Sequence, residues 1–401
     1  MKRPGMRGAL VHGALLGVAL IVAYVDWTRP KAASRKPTDV TVWEGQAGDI
    51  TAVHLESTLA KVDLTIKKDA GTAKPYPWFR LERTITLPAP APEKKDEKAA
   101  PPTNPDADHA AGEKGEKDAA ADAAKATPPA PQTKVTVKEF LGAERTKERL
   151  EKIATLVAER DLGKPESATL EKLGLAKPRG SLTIQTAKGE RKLELGDTAV
   201  GDRLRYVRDP ASGRVYAVDT NLVSDLEQAD TRLLNSDLQP FNADAIEKAV
   251  VSVGGASRTY AQRDRDKAGK SYWVVVGGES ASSGASSESA EEKDERATTW
   301  FGKLARLKAE RYLASDENPL DTPAVGAAQA APVGPTETKP VLRIEYDVAG
   351  YPPATLELEK VTAGPDKVAF VARTSYTRSR VLVNRFTAEE IEKDLNDLFG
   401  V

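Results

Sequence analysis

The stretch LRYVRDPASGRVYAVD, from Leu204 to Asp219, places two runs rich in arginine, tyrosine and valine on either side of a turn. Asp209, Pro210 and Gly213 are residue types that form turns, and the flanking runs have the composition of strands. The sequence therefore predicts a β-hairpin. A dedicated anion-binding cluster is the alternative. We favour the hairpin, because charged residues on a solvated strand face are the ordinary case.

Similar strand signals extend outward from this hairpin. The runs SLTIQT and KLELG precede it, and TNLVSDL begins a helix after it. The second half repeats this order with VLRIEYD, ATLELEKV, DKVAFVART and SRVLVNRF, followed by a helix in which Thr387 is the predicted N-cap and Glu390 completes a capping box. The order predicts an internal duplication. Chance similarity between two generic α+β stretches is the alternative.

Basic residues recur in the same region of both proposed copies. Tyr206 and Tyr216 are expected to lie in the core or half in the core, and the neighbouring arginines to face solvent. These arginines form a possible partner surface: Arg205, Arg208, Arg214, Arg373, Arg378 and Arg380.

The N-terminus carries a membrane signal. Lys2, Arg3 and Arg7 precede an uncharged run at residues 8–25, which is close to the shortest length that spans a bilayer. Positive charge on this side places the N-terminus in the cytoplasm and the bulk of the chain outside the membrane. Trp27 fits an interfacial aromatic, so we favour an uncleaved anchor over a cleaved signal peptide.

Long polar stretches interrupt the strand pattern. From Pro88 to Lys134 no residue is Leu, Ile, Val, Met, Phe, Tyr or Trp, so this insert is expected to be disordered. The predicted fold class is α+β: a transmembrane helix, then two similar units of short antiparallel strands with packed helices, interrupted by inserts. The expected domains are an anchor at 1–30, a first unit at 31–240 with insert 88–134, and a second unit at 241–401 with flexible inserts 278–298 and 318–339.

Composition excludes several classes of function. Lys plus Arg number 59 and Asp plus Glu number 60, so the chain lacks the strongly basic balance typical of nucleic-acid binders, and no nucleic-acid partner is expected. The chain contains no cysteine. Disulfides, thiol nucleophiles and thiolate metal sites are therefore excluded.

The sequence offers no recognisable catalytic motif. Its three histidines, His12, His54 and His109, do not combine with serine and acid residues into a triad, and no metal-ligand spacing is found. The GKS run at 269–271 does not complete a phosphate-loop motif, because Asp264 stands where the motif requires its first glycine. We expect no enzymatic activity, no cofactor and no metal site.

The chain resembles a family of bacterial single-pass membrane proteins that carry a repeated domain of unknown function. The resemblance is carried by the anchor, EKLGLAKPRGSLTIQT, LELGD and RYVRDPASGRVYAVDTNLVSDL, and it is best over residues 140–226. Members are often encoded beside gliding-motility-type ABC transporter components. The resemblance implies an accessory role in a cell-envelope transport complex, a localisation in the bacterial inner membrane with a periplasmic bulk, and no catalytic residues to carry over.

Three functions follow as hypotheses. The leading one is a non-enzymatic membrane-anchored scaffold of an ABC-transporter or gliding-type complex, with the cell membrane bound through residues 8–25. The first alternative is a module that binds an envelope glycan through exposed tryptophans, with Trp43, Trp78, Trp273 and Trp300 as candidates. We expect the last three of these in the core. The second alternative is a hydrolase that uses paired carboxylates, although no pair, including Glu194 and Glu357, stands out.

Overall fold

The computed structural model describes residues 39–69, 73–87, 132–199, 201, 203–267, 270–278, 293–321, 336–364 and 366–399. The strands in these ranges are β1 Val40–Trp43, β2 Ile50–Ser57, β3 Lys61–Lys68, β4 Pro75–Leu87, β5 Gln132–Leu141, β6 Leu156–Ala158, β7 Arg160–Gly163, β8 Gly180–Thr186, β9 Gly189–Thr198, β10 Leu204–Arg208, β11 Val215–Asp219, β12 Ile246–Val253, β13 Ala256–Arg263, β14 Tyr272–Gly278, β15 Ala309–Tyr312, β16 Glu337–Val348, β17 Ala354–Thr362, β18 Val368–Thr374 and β19 Val381–Val383. The helices are α1 Arg145–Ala154, α2 Ser167–Lys172, α3 Asn221–Glu227, α4 Ala229–Arg232, α5 Glu295–Leu304 and α6 Arg385–Phe399, and 3-10 turns lie at Ala47–Asp49 and Ala243–Ala245.

Two large antiparallel sheets dominate the molecule. The first sheet has nine strands in the order β5-β4-β3-β2-β8-β9-β10-β11-β7, and the second sheet has eight in the order β14-β13-β12-β16-β17-β18-β19-β15. A separate pair joins β1 and β6. Apart from the additional strand β5, the two orders correspond strand by strand.

Alternation of side chains makes each sheet bury one face. In β16, Leu342, Ile344 and Tyr346 are buried, whereas the intervening Arg343 and Glu345 are exposed. Successive side chains of a strand point to opposite faces, so this pattern directs one face to the core and the other to solvent.

Two helices, α5 and α6, pack on the second sheet. Trp300 of α5 is fully buried, and its indole nitrogen donates a hydrogen bond to the carbonyl of Ile391 in α6 at 3.1 Å. Phe301 stacks on Trp273 of β14 with ring centroids 3.7 Å apart. The aromatic rings of α5 therefore fix the helix against both α6 and the sheet.

The chain between the two sheets is bonded to the first sheet along a seam formed by residues 141–143 and 233–235. Gly142 bridges Leu234, and the amide of Asn235 donates to the carbonyl of Leu141 at 2.8 Å. A Cβ at Gly142 would lie 2.8 Å from the ring of Phe79, so the close approach requires glycine.

Charged side chains reinforce the seam. Arg83 holds both carboxylate oxygens of Asp230 at 2.8 Å, and Lys138 lies 3.7 Å from Asp230 and 3.8 Å from Glu317. Glu317 also pairs with Arg311 of β15. Residues of both sheets therefore share one network, in which Asp230 is buried and its charge is compensated.

The predicted α+β class is wrong, because the fold is predominantly antiparallel β. Strands hold more than twice as many described residues as helices, and β4 alone has 13 residues. The run from Lys138 to Leu162 has apolar residues at helical spacing, but within it only α1 is helical. Residues before it extend β5, and the apolar run after it forms β6 and β7. Pairing with neighbouring strands overrides the local helical periodicity there.

The predicted transmembrane anchor is contradicted as well. Across the described ranges, every helix is too short or too polar to cross a bilayer. The predictions of a single-pass inner-membrane localisation and of a periplasmic bulk depended on that anchor, so we withdraw them as well. Residues 8–25, on which the prediction rested, lie outside the described residues.

Two smaller expectations also change. The C-terminal helix begins at Arg385, and the side chain of Asn384, not Thr387, accepts the first-turn amide, that of Thr387, at 3.1 Å. The predicted insert 88–134 overlaps β5, which starts at Gln132. Its residues 88–131, and most of the inserts expected at 278–298 and 318–339, lie outside the described residues.

Candidate functional site

The three arginines of the first sheet each have a partner. Arg205 donates to the carbonyl of Gly196 at 3.1 Å and lies 3.5 Å from Glu227. Arg208 pairs with Glu194 at 2.5 Å. These side chains are largely covered, so they contribute mainly to internal structure.

Arg214 connects the last two strands of the first sheet. It pairs with Asp161 of β7. Burial acts to raise the pKa of that carboxyl, but the hydrogen bonds from Arg214 and from the amide of Gly163 outweigh it and lower the pKa. The pair tethers the short edge strand β7 to β11.

The arginines of the second sheet differ in exposure. Arg373 is exposed on β18 opposite Glu357 of β17, and the carbonyl of Arg380 accepts from the amide of Leu313 at 3.0 Å. Arg378 reaches the first sheet, where it contacts the hydroxyl of Tyr76 and lies 2.6 Å from Asp69. The partner surface that the six arginines were predicted to form stays a prediction.

A polar cavity of about 370 Å³ lies at one end of the second sheet. Its walls come from α5, from residues 237–246, and from strands β13, β14, β16 and β17. Ligand pockets in proteins begin at about 300 Å³, so the cavity reaches that range.

One wall of the cavity is a hydrogen-bonded group of side chains. With its amide oriented to match its neighbours, Gln262 donates to the carbonyls of Ala243 and Ile246 at 3.0 and 2.7 Å. The hydroxyl of Ser271 lies 3.3 Å from the amide oxygen of Gln262 and 3.2 Å from Asp244. These bonds hold the 3-10 turn before β12 against β13.

The floor of the cavity carries two tyrosines. The hydroxyl of Tyr346 is hydrogen-bonded to Gln239, and that of Tyr376 accepts from the side-chain amide of Asn235 at 2.9 Å. Burial raises the pKa of both tyrosines. Both hydroxyls therefore keep their protons at neutral pH.

An ion pair and a glycine of α5 lie at the mouth of the cavity. Asp237 and Lys308 lie 2.5 Å apart, and both are more than half exposed. Gly302 of α5 also lines the cavity, and a Cβ placed there would meet no atom within 4 Å.

The described histidine and the two carboxylates Glu194 and Glu357 each lie beside another side chain. His54 lies 2.7 Å from Asp63 on the neighbouring strand, and Glu194 and Glu357 pair with Arg208 and Arg343. No cluster suited to a metal ion occurs within the described ranges. His12 and His109 lie outside them.

Sequence reasoning missed the cavity. Ser271 ends the GKS run, which does not match a phosphate loop, and Gln239, Gln262 and Gly302 belong to no motif. One signal was available: WEGQAGDI and QPFNADAI align at the two 3-10 turns, and they differ where Trp43 stands opposite Gln239 and where Gly45 stands opposite Phe241.

A family model described as "Domain of unknown function (DUF4340)" matches residues 143–327, slightly less than half of the chain. The matched range includes the seam residues 233–235 and most of the cavity wall. No curated protein and no solved structure matches the chain. The comparisons thus support a domain of unknown function, which is the coarser part of the resemblance.

Proposed function

We propose that this protein is a non-enzymatic scaffold that binds an extended segment of a partner protein along β14, at the edge of the second sheet. The observation that carries the proposal is the exposure of two adjacent valines on this strand, Val275 at 45 % and Val276 at 42 %. Edge strands present unpaired backbone groups and are templates for strand addition.

The edge is available over most of its length within the described residues. Among the described residues β14 is the terminal strand of the second sheet. They contact its outer edge at Trp273, which bridges Asp294 and whose amide donates to the hydroxyl of Thr298 at 3.0 Å. Val275 and Val276 point to opposite faces, because side chains alternate along a strand. A matching partner strand would therefore be apolar on both faces.

The charged network beside the seam supports a scaffold role. The network of Arg83, Asp230, Lys138, Glu317 and Arg311 connects elements of both sheets. A partner bound at the β14 edge is then attached to a unit of two connected sheets, and not to a single hairpin.

The resemblance over residues 140–226 makes a component of an ABC-transporter or gliding-type complex the partner that we propose. The internal duplication belongs to the same proposal. It is supported by the matching strand orders and by the two 3-10 turns that precede β2 and β12.

The two alternatives have less support. Binding of a glycan through tryptophans needs at least two of them exposed on one face, but Trp78, Trp273 and Trp300 are buried, as expected, at 7 %, 3 % and 0 %. A carboxylate hydrolase needs paired acids in a cleft. The buried Asp225 and Asp230 are instead held by arginines.

In-cell crosslinking followed by affinity purification of the full chain tests the proposal. We expect mass spectrometry to identify an ABC permease or its auxiliary subunit, lost when Val275 and Val276 are both replaced by lysine. Val135→Lys on β5, the edge of the first sheet, is the matched control, because Val135 is exposed to a similar extent, 52 %. Capture that survives the double substitution, or recovery of no transporter component, would refute the proposal.

A further inference from the structure

We infer that the polar cavity of the second sheet binds a neutral, hydroxyl-rich small molecule of about the size of one sugar ring. This inference is independent of strand addition at β14. It rests on the shape of the cavity, on the groups that line it, and on the corresponding place in the first sheet.

The first argument is the size and polarity of the space. The cavity measures about 370 Å³. Its walls include side-chain amides, hydroxyls and aromatic rings, the mixture that orients a small polar ligand. Such a space is filled by water in the absence of a ligand, and a ligand must reproduce the hydrogen bonds of the water that it displaces.

The second argument is the type of hydrogen-bonding group. Gln239 and Asn242 carry amides, and Ser271, Tyr346 and Tyr376 carry hydroxyls. Amides and hydroxyls both donate and accept. A ligand hydroxyl does the same, so a polyhydroxylated molecule can pair with these groups without a change of charge.

The third argument is charge. Among the described residues that line the cavity, Lys308 is the one lysine, and it is already paired with Asp237 at 2.5 Å; none of these residues is an arginine. An anionic ligand would therefore lack a free cation. Asp244 accepts a hydrogen bond from Ser271 and is exposed at the rim, so it does not present a buried negative charge to a cationic ligand.

The fourth argument is the corresponding place in the first sheet. Trp43 and Gln239 stand at the same distance before the two 3-10 turns. Ile184 pairs with Val53 of β2 as Tyr346 pairs with Ala249 of β12, each three residues into its strand. At both positions the second sheet has a polar group where the first sheet has an apolar one.

The difference between Trp43 and Gln239 changes the volume of the space beside each sheet. Beside the first sheet the indole of Trp43, at the end of β1, donates to the carbonyl of Ile153 at 2.8 Å, and the remaining space measures about 30 Å³. The same architecture is thus closed by an aromatic side chain in one sheet and open, with polar walls, in the other.

Gly302 lines the cavity on the side of α5, where the space beside it is empty of protein atoms. Glycine weakens a helix interior, and a Cβ at this position would cause no clash, so packing does not require the glycine. A larger side chain there would project into open space beside the cavity mouth.

Isothermal titration calorimetry on the full chain tests the inference. The neutral probes are methyl α-D-glucoside and N-acetylglucosamine, and the charged probes are glucosamine and glucuronate. We expect saturable one-to-one binding of at least one neutral probe, with affinity at least tenfold weaker in Gln239→Trp and in Gly302→Phe.

Two variants serve as controls. Gln185→Trp places the same new side chain on an exposed glutamine of the first sheet, and Gly302→Ala adds only a methyl group. Both should keep the affinity within about twofold. If Gln239→Trp does not fold by circular dichroism, Gly302→Phe carries the test.

Three results would overturn the inference: no saturation with either neutral probe, unchanged affinity in both cavity variants, or preferential binding of a charged probe. Because Val275 and Val276 do not line the cavity, the Lys variants of β14 leave this experiment unaffected. Failure of one proposal is therefore distinguishable from failure of the other.

Discussion

The segments that lead into β2 and β12 adopt the same turn but fill the space beneath it differently. Ile50 and Ile246 follow the two 3-10 turns with nearly identical backbone angles, φ −76° and ψ 123° against φ −75° and ψ 122°. Trp43 fills the space beside the first sheet, whereas Gln239 lies at the side of a cavity beside the second. One backbone arrangement can therefore serve stability in one half of a molecule and leave room for a ligand in the other.

The same comparison extends to the outer strands. The first sheet gains β5 beyond β4, while the second sheet ends at β14, the counterpart of β4. Among the described residues, the second sheet thus contains both the open cavity and the valine edge, and the first sheet has neither in the same form.

The largest expected effect is at Trp43. Trp43→Ala removes a hydrogen bond to Ile153 and the ring that Arg191 covers at 5.5 Å, and it enlarges a space that is now nearly filled. We expect a loss of about 3 kcal/mol in the free energy of unfolding, measured by urea denaturation.

Gln239→Ala is the matched variant in the second sheet. It should cost less than about 1 kcal/mol, because water can replace the lost hydrogen bond in an open cavity. Equal losses in the two variants would mean that Trp43 and Gln239 contribute equally to stability. The contrast between the two lead-in segments would then be wrong.

Alkaline pH should act mainly through the second sheet. Burial raises the pKa of Tyr260, Tyr312, Tyr346 and Tyr376, all of which belong to this sheet or its loops. In the unfolded chain a tyrosine releases its proton near pH 10.0, while the folded protein retains it. The unfolded state then binds fewer protons, so stability is fully present below pH 10 and falls as the pH rises above it.

The measurement is urea unfolding at several pH values from 8 to 11.5, with the slope compared between the wild type and Tyr346→Phe. Each tyrosine that stays protonated only in the folded state contributes at most about 1.4 kcal/mol per pH unit, and the variant should lose one such contribution. An unchanged slope would show that Tyr346 titrates alike in the folded and unfolded chains.

The smallest expected effect is at Gly302. Gly302→Ala should stabilise the protein by about 0.5 to 1 kcal/mol, since alanine favours a helix and the added methyl group meets no neighbour. Thermal unfolding followed by circular dichroism measures this gain.

Gly142→Ala provides the contrast, because its Cβ would lie within 2.9 Å of Pro77 and Thr146 as well as against Phe79. It should lower the melting temperature. A loss of stability in Gly302→Ala would mean that α5 needs the glycine for packing, and the cavity argument would lose one of its supports.

Local patterns in the sequence predicted much of the strand content. The hairpin of β10 and β11 forms as expected, with Leu204 opposite Asp219, and Tyr216 is buried while Tyr206 is half-buried. The turn residues between the strands and the period of two are local signals, and they are sufficient there.

Features that depend on contacts between distant residues were not predictable. Strand β13, with the sequence ASRTYAQR, has few apolar residues and is held by its two neighbours, β12 and β14. The cavity combines residues from Asp237 to Tyr376, so no window of sequence shows it. The fold class was misjudged for the same reason, since pairing decided whether the segments around α1 became strands.

The pairing of β4 with β5 has a consequence for how this chain can change during evolution. The ladder runs from Trp78 opposite Leu141 to Leu87 opposite Gln132, so it holds the two ends of the segment 88–131 side by side. Doubling the length of a connection between fixed ends costs only about 0.6 kcal/mol in closure entropy. Relatives can therefore gain or lose many residues at this point while every strand keeps its place, and a reporter domain inserted there should leave the two sheets intact.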